Sequence, residues 1–196
     1  MIWPFNSSNK EPHVLLNNLN SDDVNVHKSA YKELLNTTDS SVEQLMISAL
    51  ENSDTPKNTK LSLISILGHR GVTEAISVLK ECIDFTDFDI RVASVNSLYE
   101  IGTPECIDEL VLLLADKDDR IKQKSEELIS KLPEKDAMGA LIRAIPEDVN
   151  SELYFSIVSV MEDLDFFSII KENFSQPDPM VKKFYFNTIV KFNRTA

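Results

Sequence analysis

The chain has 196 residues, of which 42% are hydrophobic and 27% are charged, and its formal net charge at pH 7 is −12. This length allows a sizeable core, and only 4 glycines argue against a loop-rich or sheet-rich fold. The acidic balance argues against a nucleic-acid partner, because displacing counterions from phosphates requires a basic face. No apolar run approaches the roughly 20 residues that a membrane span needs, so we expect no membrane partner.

The chain begins with a short apolar arm, Met1 to Phe5, which has no basic segment and is too short for a secretory signal. The two cysteines, Cys82 and Cys106, agree with a reducing compartment. We therefore expect a cytoplasmic protein. Residues 1–21 are predicted to form an arm and a capping helix over 11–19, and residues 22–196 a single repeat array.

Helical periodicity then continues to the end of the chain, and prolines and acidic turns mark the joints between helices. The predicted helices cover about 22–36, 41–52, 56–69, 73–83, 87–101, 104–115, 118–132, 135–145, 149–163, 165–174 and 178–192. At the centre, Gly102 can take the left-handed conformation that ends a helix. Thr103 can cap the next helix, with Pro104 at its first position.

The apolar pattern repeats about every 31 residues, which is typical of a solenoid of helical hairpins. The first helix of each repeat carries equivalent core positions, which we call the anchor, the middle and the end position. The anchors are Val26, Thr59, Ile90, Ile121, Leu153 and Val181; the middle positions Ala30, Leu63, Ser94, Ser125, Ile157 and Tyr185; the end positions Leu34, Leu67, Leu98, Ile129, Met161 and Ile189. The second helices repeat Ala75, Cys106 and Ala137, then Leu79, Leu110 and Leu141, then Ile83, Leu114 and Ile145.

The segment Asp87 to Arg91, followed by Ser94, Leu98 and Gly102, resembles the pattern D-x-x-V-R-x-x-A-x-x-A-L-x-x-I-G. This is the signature of short HEAT-like repeats of the phycobilisome-lyase type, and Asp118 to Lys122 begins a second match. The resemblance implies an all-α fold, an α-solenoid of about six HEAT-like helical hairpins (an alpha-alpha superhelix). It also implies that the helix carrying the arginine lines the concave side, where partners bind.

No constellation of residues suited to catalysis or metal binding stands out, and no cofactor is predicted. His13, His27 and His69 lack metal-ligand spacing, and Asp116, Asp118 and Asp119 lie where a helix dipole favours carboxylates. Both cysteines fall on core positions, where thiols behave as small hydrophobes.

The leading prediction is therefore a non-enzymatic module or scaffold that binds another protein through side chains pointing away from the core. The residues predicted to reach that partner are Arg91, Asn96, Tyr99, Lys122, Gln123, Tyr154, Ser159, Lys183 and Phe186. The alternative is a bilin lyase or a chaperone-like accessory factor for tetrapyrrole attachment, with its pocket in the region from Tyr154 and Phe155 to Lys183 and Phe186. A further alternative is a subunit of a larger assembly, or self-association through the basic C-terminal helix.

Overall fold

A computed structural model describes residues 11–146, 148 and 150–165. Helices joined by turns make up these residues, and none of them lies in a β-strand. The prediction of an all-α repeat fold is therefore confirmed. The chain divides into two compact units, residues 1–101 and residues 102–196, which are taken in turn.

The first unit contains six α-helices in its described part. They are α1 (Pro12–Asn18), α2 (Val24–Asn36), α3 (Ser40–Glu51), α4 (Lys57–His69), α5 (Ile76–Ile83, preceded by a 3-10 turn at Thr73–Ala75) and α6 (Phe88–Ile101). Helix α4 packs beside α2 on one side and α6 on the other, and α3 and α5 form the second row. This arrangement is the one predicted from the repeat, in which each hairpin shields the next.

The described part of the second unit contains four more α-helices. They are α7 (Pro104–Leu112, continued by a 3-10 turn at Leu113–Ala115), α8 (Asp119–Ile129), α9 (Glu134–Arg143) and α10 (Glu152–Asp163). Helix α7 packs beside α9, and the turn that follows α7 packs against α8 and α10. The helices predicted over 165–174 and 178–192 lie outside the described residues.

Side-chain caps explain why several helices begin later than the periodicity predicts. Asp23 accepts from the amide of Asn25 at 2.8 Å, Asp118 from that of Arg120 at 3.0 Å, and Ser151 from that of Tyr154 at 3.2 Å. A capping residue has extended backbone, so its helix starts one residue after it. The predicted caps at the centre are confirmed, since Gly102 has φ +66 and Thr103 accepts from the amide of Cys106.

The predicted core positions are buried in the described part of the chain, with three exceptions. All end positions from Leu34 to Met161 are buried, as are all middle positions from Ala30 to Ile157. The exceptions are Val26, Leu153 and Ile145, which are half-buried. No described helix is long and apolar enough to cross a membrane.

Two polar contacts fix the spacing of the helices in the first unit. The hydroxyl of Ser97 on α6 donates to the carbonyl of Ile64 on α4 at 2.8 Å. Arg70, which follows α4, donates to the carbonyls of Leu34 and Thr37 at the end of α2 and pairs with Glu43 on α3. A guanidinium suits this place because the last carbonyls of a helix carry partial negative charge.

A surface ion-pair cluster joins the first turns of α4 and α6. Lys57 Nζ lies 2.8 Å from Asp87 Oδ2 and 2.6 Å from Asp89 Oδ2. The pKa of Asp87 is lowered below its ordinary value of 3.8, first because Lys57 donates to it and then because it accepts from the Ile90 amide. The contribution of Asp87 to stability is therefore complete above that value and disappears as pH falls through the lowered pKa of the folded state.

We expect Asp87→Asn to destabilise the protein at pH 7, and the difference from wild type to shrink as pH falls below 3.8. Asparagine can still accept from the amides of Asp89 and Ile90, so the substitution isolates the charge. Urea unfolding across this pH range measures the effect, with the exposed Asp54→Asn as control. A difference that grew at acid pH would contradict this assignment.

Candidate partner-binding surface

In each unit the candidate surface consists of the outward sides of that unit's own repeat-opening helices: α2, α4 and α6 in the first, and α8 and α10 in the second. Each of these helices places its middle and end positions inward. The side chains between those positions are left on the opposite face. The predicted partner-binding residues are distributed over this surface as follows.

Arg91 does not belong to the surface, and the prediction that its side chain points outward is wrong. The residue is only 4% exposed, and its Nε donates to the carbonyl of Ile83 at 2.5 Å. Ile83 is the last residue of α5, where unsatisfied carbonyls attract a cation. The signature arginine therefore joins α6 to the end of the preceding helix and is not available to a partner.

Tyr154 is the second correction, because it is 2% exposed and faces the core of the second unit. Its neighbour Phe155 is 53% exposed and meets the Tyr154 ring edge-on, with 5.9 Å between ring centroids. The outward aromatic side chain of α10 is thus Phe155. The prediction was therefore one residue too early at this position, whereas Ser159 on the same helix is exposed as predicted.

The remaining predicted residues within the described chain reach the surface to different degrees. Asn96 and Tyr99 on α6 are half-buried, whereas Gln123 on α8 and Ser159 on α10 are exposed. Lys122 is half-buried and paired with Glu152 and Asp119, and these carboxylates, Glu152 first, raise the pKa of its ammonium. Partner binding by these residues stays a prediction. Lys183 and Phe186 lie outside the described residues.

A chain of polar contacts crosses the same surface in the first unit. The hydroxyl oxygens of Tyr31 on α2 and Ser65 on α4 are 2.8 Å apart. On α4, His69 Nδ1 lies 2.8 Å from the Ser65 carbonyl oxygen and 3.1 Å from Glu100 Oε2 on α6. We call Tyr31, Ser65, His69 and Glu100 the polar row. It connects three successive repeat-opening helices.

The polar row contains serine, histidine and a carboxylate, yet its geometry is unsuited to nucleophile activation. In a catalytic triad the carboxylate and the serine hydroxyl use different nitrogens of the imidazole ring. Here Ser65 Oγ, at 3.4 Å, and the Glu100 carboxylate both approach Nδ1 of His69. One nitrogen cannot donate to the carboxylate and accept the serine proton together, so this set does not form a triad.

The sequence interpretation missed the polar row because it tested the histidines only for metal spacing. The signal was available, since Glu100 follows His69 by 31 residues, which is one repeat period. Residues one period apart occupy equivalent positions on neighbouring repeat helices and so lie side by side. Applying the period to polar residues as well as apolar ones would have predicted the pair.

The thiols are buried inside the repeats. Cys82 and Cys106 are both buried, and burial raises the pKa of the Cys82 thiol, although the nearby Lys60 ammonium opposes the shift. A neutral buried thiol is a poor nucleophile. The Lys60 ammonium lies over the ring of Phe85, 5.2 Å from its centroid, which offsets part of the cost of burying the charge.

Among the described residues, no group of three or more His, Cys, Asp or Glu side chains is arranged to hold a metal ion. The acidic turn before α8 is accounted for by capping. Asp118 accepts from the Arg120 amide and pairs with the Arg120 guanidinium, with 2.7 Å between its Oδ2 and Nη2.

Comparison with known proteins agrees with this architecture. Residues 44–130 match the family model of the HEAT repeats. This segment is similar to HEAT repeats in sequence. It begins within α3 and ends just after α8, so it contains the polar row from Ser65 onward and most of the described candidate surface. No curated protein sequence matches the chain.

Two solved structures are similar to the chain at low identity. The complex of CpcE and CpcF of phycocyanin lyase from Nostoc sp. PCC7120 has 20% identity and a TM-score of 0.48, covering 84% of this chain and 70% of that one. An engineered protein has 16% identity and a TM-score of 0.40, covering 90% and 94%.

Proposed function

We propose that these HEAT repeats form a non-enzymatic binding module that recognises another protein through the repeat-opening helices. The observation that supports it most directly is the outward face of α2, α4 and α6. It combines a half-buried aromatic residue, Tyr99, with uncharged polar groups such as Asn96. Tyrosine is favoured in protein interfaces because its large ring carries a hydrogen-bonding hydroxyl.

The polar row gives this surface a defined geometry. Contacts from Tyr31 to Ser65 and from His69 to Glu100 connect α2 to α4 and α4 to α6. A surface whose helices are already held in place loses less conformational entropy when a partner binds. We therefore expect the partner to contact several repeats at once, and we expect single substitutions on one helix to weaken binding only in part.

Replacement of Tyr99 by a photo-crosslinking amino acid tests the proposal in cells that make the protein. We expect one protein partner to be crosslinked from Tyr99 and, more weakly, from the exposed Gln123. The matched control is Ser77, an exposed residue on α5 in the second row of helices. Equal crosslinking of the same partner from Ser77 would show that the binding surface lies elsewhere.

Alanine at Asn96 and Tyr99 provides the energetic test once the partner is known. Loss of an aromatic hot spot costs about 2 kcal/mol or more, so we expect affinity to fall at least about 30-fold. Thermal unfolding of the same variant must stay close to wild type for this loss to report on the interface. Unchanged affinity would exclude α6 from the binding surface.

Tetrapyrrole attachment is tested separately. The neighbour's name describes a phycocyanin lyase, whereas the two thiols of this chain are buried. We expect a bilin mixed with the purified protein to show no spectral shift and to form no covalent adduct at Cys82 or Cys106. A shift in the absorption spectrum would favour the lyase alternative over the binding module.

A further inference from the structure

Two exposed lysines on α2 carry charges that the fold does not use. Lys28 and Lys32 lie in the middle of the helix, away from the end where the helix dipole favours a cation. They are one turn apart, and like charges at this spacing destabilise a helix. Within the described chain neither lysine is ion-paired, although acids outnumber bases 32 to 20 in the sequence. Unneutralised charges that cost stability are expected at functional sites.

The repeat places apolar residues beside these lysines on the neighbouring helices. Leu61 on α4 and Val92 on α6 occupy the position equivalent to Lys28, two residues after the anchor, and both are half-buried. The hydroxyl oxygens of Tyr31 and Ser65 are 2.8 Å apart, so this side of α2 adjoins the outward side of α4. Helix α4 in turn packs beside α6. The outward side of the first unit therefore has an apolar floor and a basic edge.

The carboxylates within these three helices all have partners of their own. On α2, Glu33 accepts from the hydroxyl of Ser29 at 3.0 Å. On α6, Asp89 lies 2.6 Å from Lys57 Nζ, and Glu100 belongs to the polar row. Charges farther away than about 8 Å are largely screened at physiological ionic strength. The two lysines therefore set the local potential at this edge, despite the acidic balance of the whole chain.

We infer that the protein partner presents an acidic amphipathic helix to α2, α4 and α6, an inference that rests on the proposed function. Carboxylates four residues apart on a helix are separated by a rise of about 6 Å, which matches the spacing of Lys28 and Lys32. Packed helices have axes about 8–10 Å apart, so a helix lying over α4 can reach both lysines. Its apolar side chains then pack on Leu61 and Val92, as in other recognition of a helix by a groove.

Two designed peptides test the chemistry of this surface in the full-length protein. Both are helices of about 16 residues with the same leucine stripe. One carries pairs of glutamates four residues apart beside the stripe, and the other carries lysines in the same places. A photo-crosslinking amino acid in place of Leu61 makes the readout local, because only a peptide lying on the floor is captured. The dependence of crosslinking on peptide concentration then gives the affinity at this surface.

We expect the acidic peptide to bind at least about tenfold more tightly than the basic one, and high salt to narrow the difference. Lys28→Gln with Lys32→Gln should remove the preference, and Lys28→Glu with Lys32→Glu should reverse it. The matched control is Lys117→Glu with Lys135→Glu, which changes the net charge equally at two exposed lysines of the second unit. This control should leave the preference for the acidic peptide unchanged.

Equal capture of the two peptides would overturn the inference, as would a preference that survives both pairs of substitutions at Lys28 and Lys32. Thermal unfolding close to wild type verifies that each variant is folded. Self-association in sedimentation that Lys28→Glu with Lys32→Glu abolishes would identify a second copy as the occupant, and would also overturn it. Crosslinking from Tyr99 in cells separates the two proposals. A partner captured there while the peptides bind equally leaves the binding module in place, whereas capture of no partner removes both.

Discussion

Replacing Gly68 by alanine should destabilise the protein by about 1–3 kcal/mol, even though alanine is the better helix former. Gly68 lies in the last turn of α4, against α6. A β-carbon there would lie 2.6 Å from Ser97 Oγ, 2.7 Å from Ser97 Cβ and 2.8 Å from Ser97 Cα. Because one of these atoms is backbone, side-chain rotation cannot relieve the overlap. The helices must separate, and the Ser97 bond to the Ile64 carbonyl must lengthen.

Gly139→Ala is the matched control, since Gly139 is also inside a helix. Its β-carbon would meet only Arg143 Nη1, at 3.3 Å, which is the far end of a flexible side chain. We expect this variant to be as stable as wild type or more stable by up to about 1 kcal/mol. Urea unfolding of both variants gives the comparison. Equal effects of the two substitutions would show that α4 and α6 are not in close contact at Gly68.

A second variant separates overlap from the loss of the hydrogen bond. Ser97→Ala removes the hydroxyl that donates to the Ile64 carbonyl but leaves Gly68 in place, and we expect it to cost about 1 kcal/mol. Gly68→Ala should therefore be the more harmful of the two. Combining Gly68→Ala with Ser97→Gly should recover stability only in part, because the Ser97 α-carbon remains within 2.8 Å of the new methyl group.

The sequence predicted the repeat fold well because core packing has a fixed period. Leu67, Leu98 and Ile129 are each 31 residues apart and all are buried, as the period requires. The closest helix contact was missed, however. Gly68 and Ser97 are not equivalent positions of the repeat, so no comparison of repeats relates them. Their contact depends on how closely two helices approach, which is a three-dimensional distance that periodicity does not contain.

The partner-binding residues were predicted less well, and Arg91 shows why. A charged residue beside an apolar anchor was expected to point outward, yet its long side chain reaches the free carbonyls at the end of α5. When a single helix is read as amphipathic, its charged residues are assigned to solvent. The free carbonyls at the end of a neighbouring helix can instead bind such a cation. The prediction for Tyr154 was wrong for another reason. It was assigned outward although it directly follows Leu153, and the anchor and its neighbour share the inward arc on α10.

Replacing Leu98 by alanine should have the largest effect on stability, a loss of about 2–5 kcal/mol in the free energy of unfolding. Leu98 occupies the end position of α6, is completely buried and belongs to the column of residues that each repeat shares with the next. The substitution leaves a cavity at the contact between neighbouring repeats. Leu112→Ala is the control, since Leu112 is 50% exposed and should lose well under 1 kcal/mol.

The set of helices that Leu98→Ala destabilises distinguishes a repeat array from an ordinary core. Helix α6 packs against both α4 and α5, so weakening it removes support from the hairpin that precedes it. We expect hydrogen exchange in Leu98→Ala to accelerate in α4 and α5 as well as in α6. Acceleration confined to α6 would show that each helix is stable without its neighbours, contrary to the nearest-neighbour coupling that the 31-residue period implies. A stability equal to wild type would mean that the shared column does not hold the repeats together.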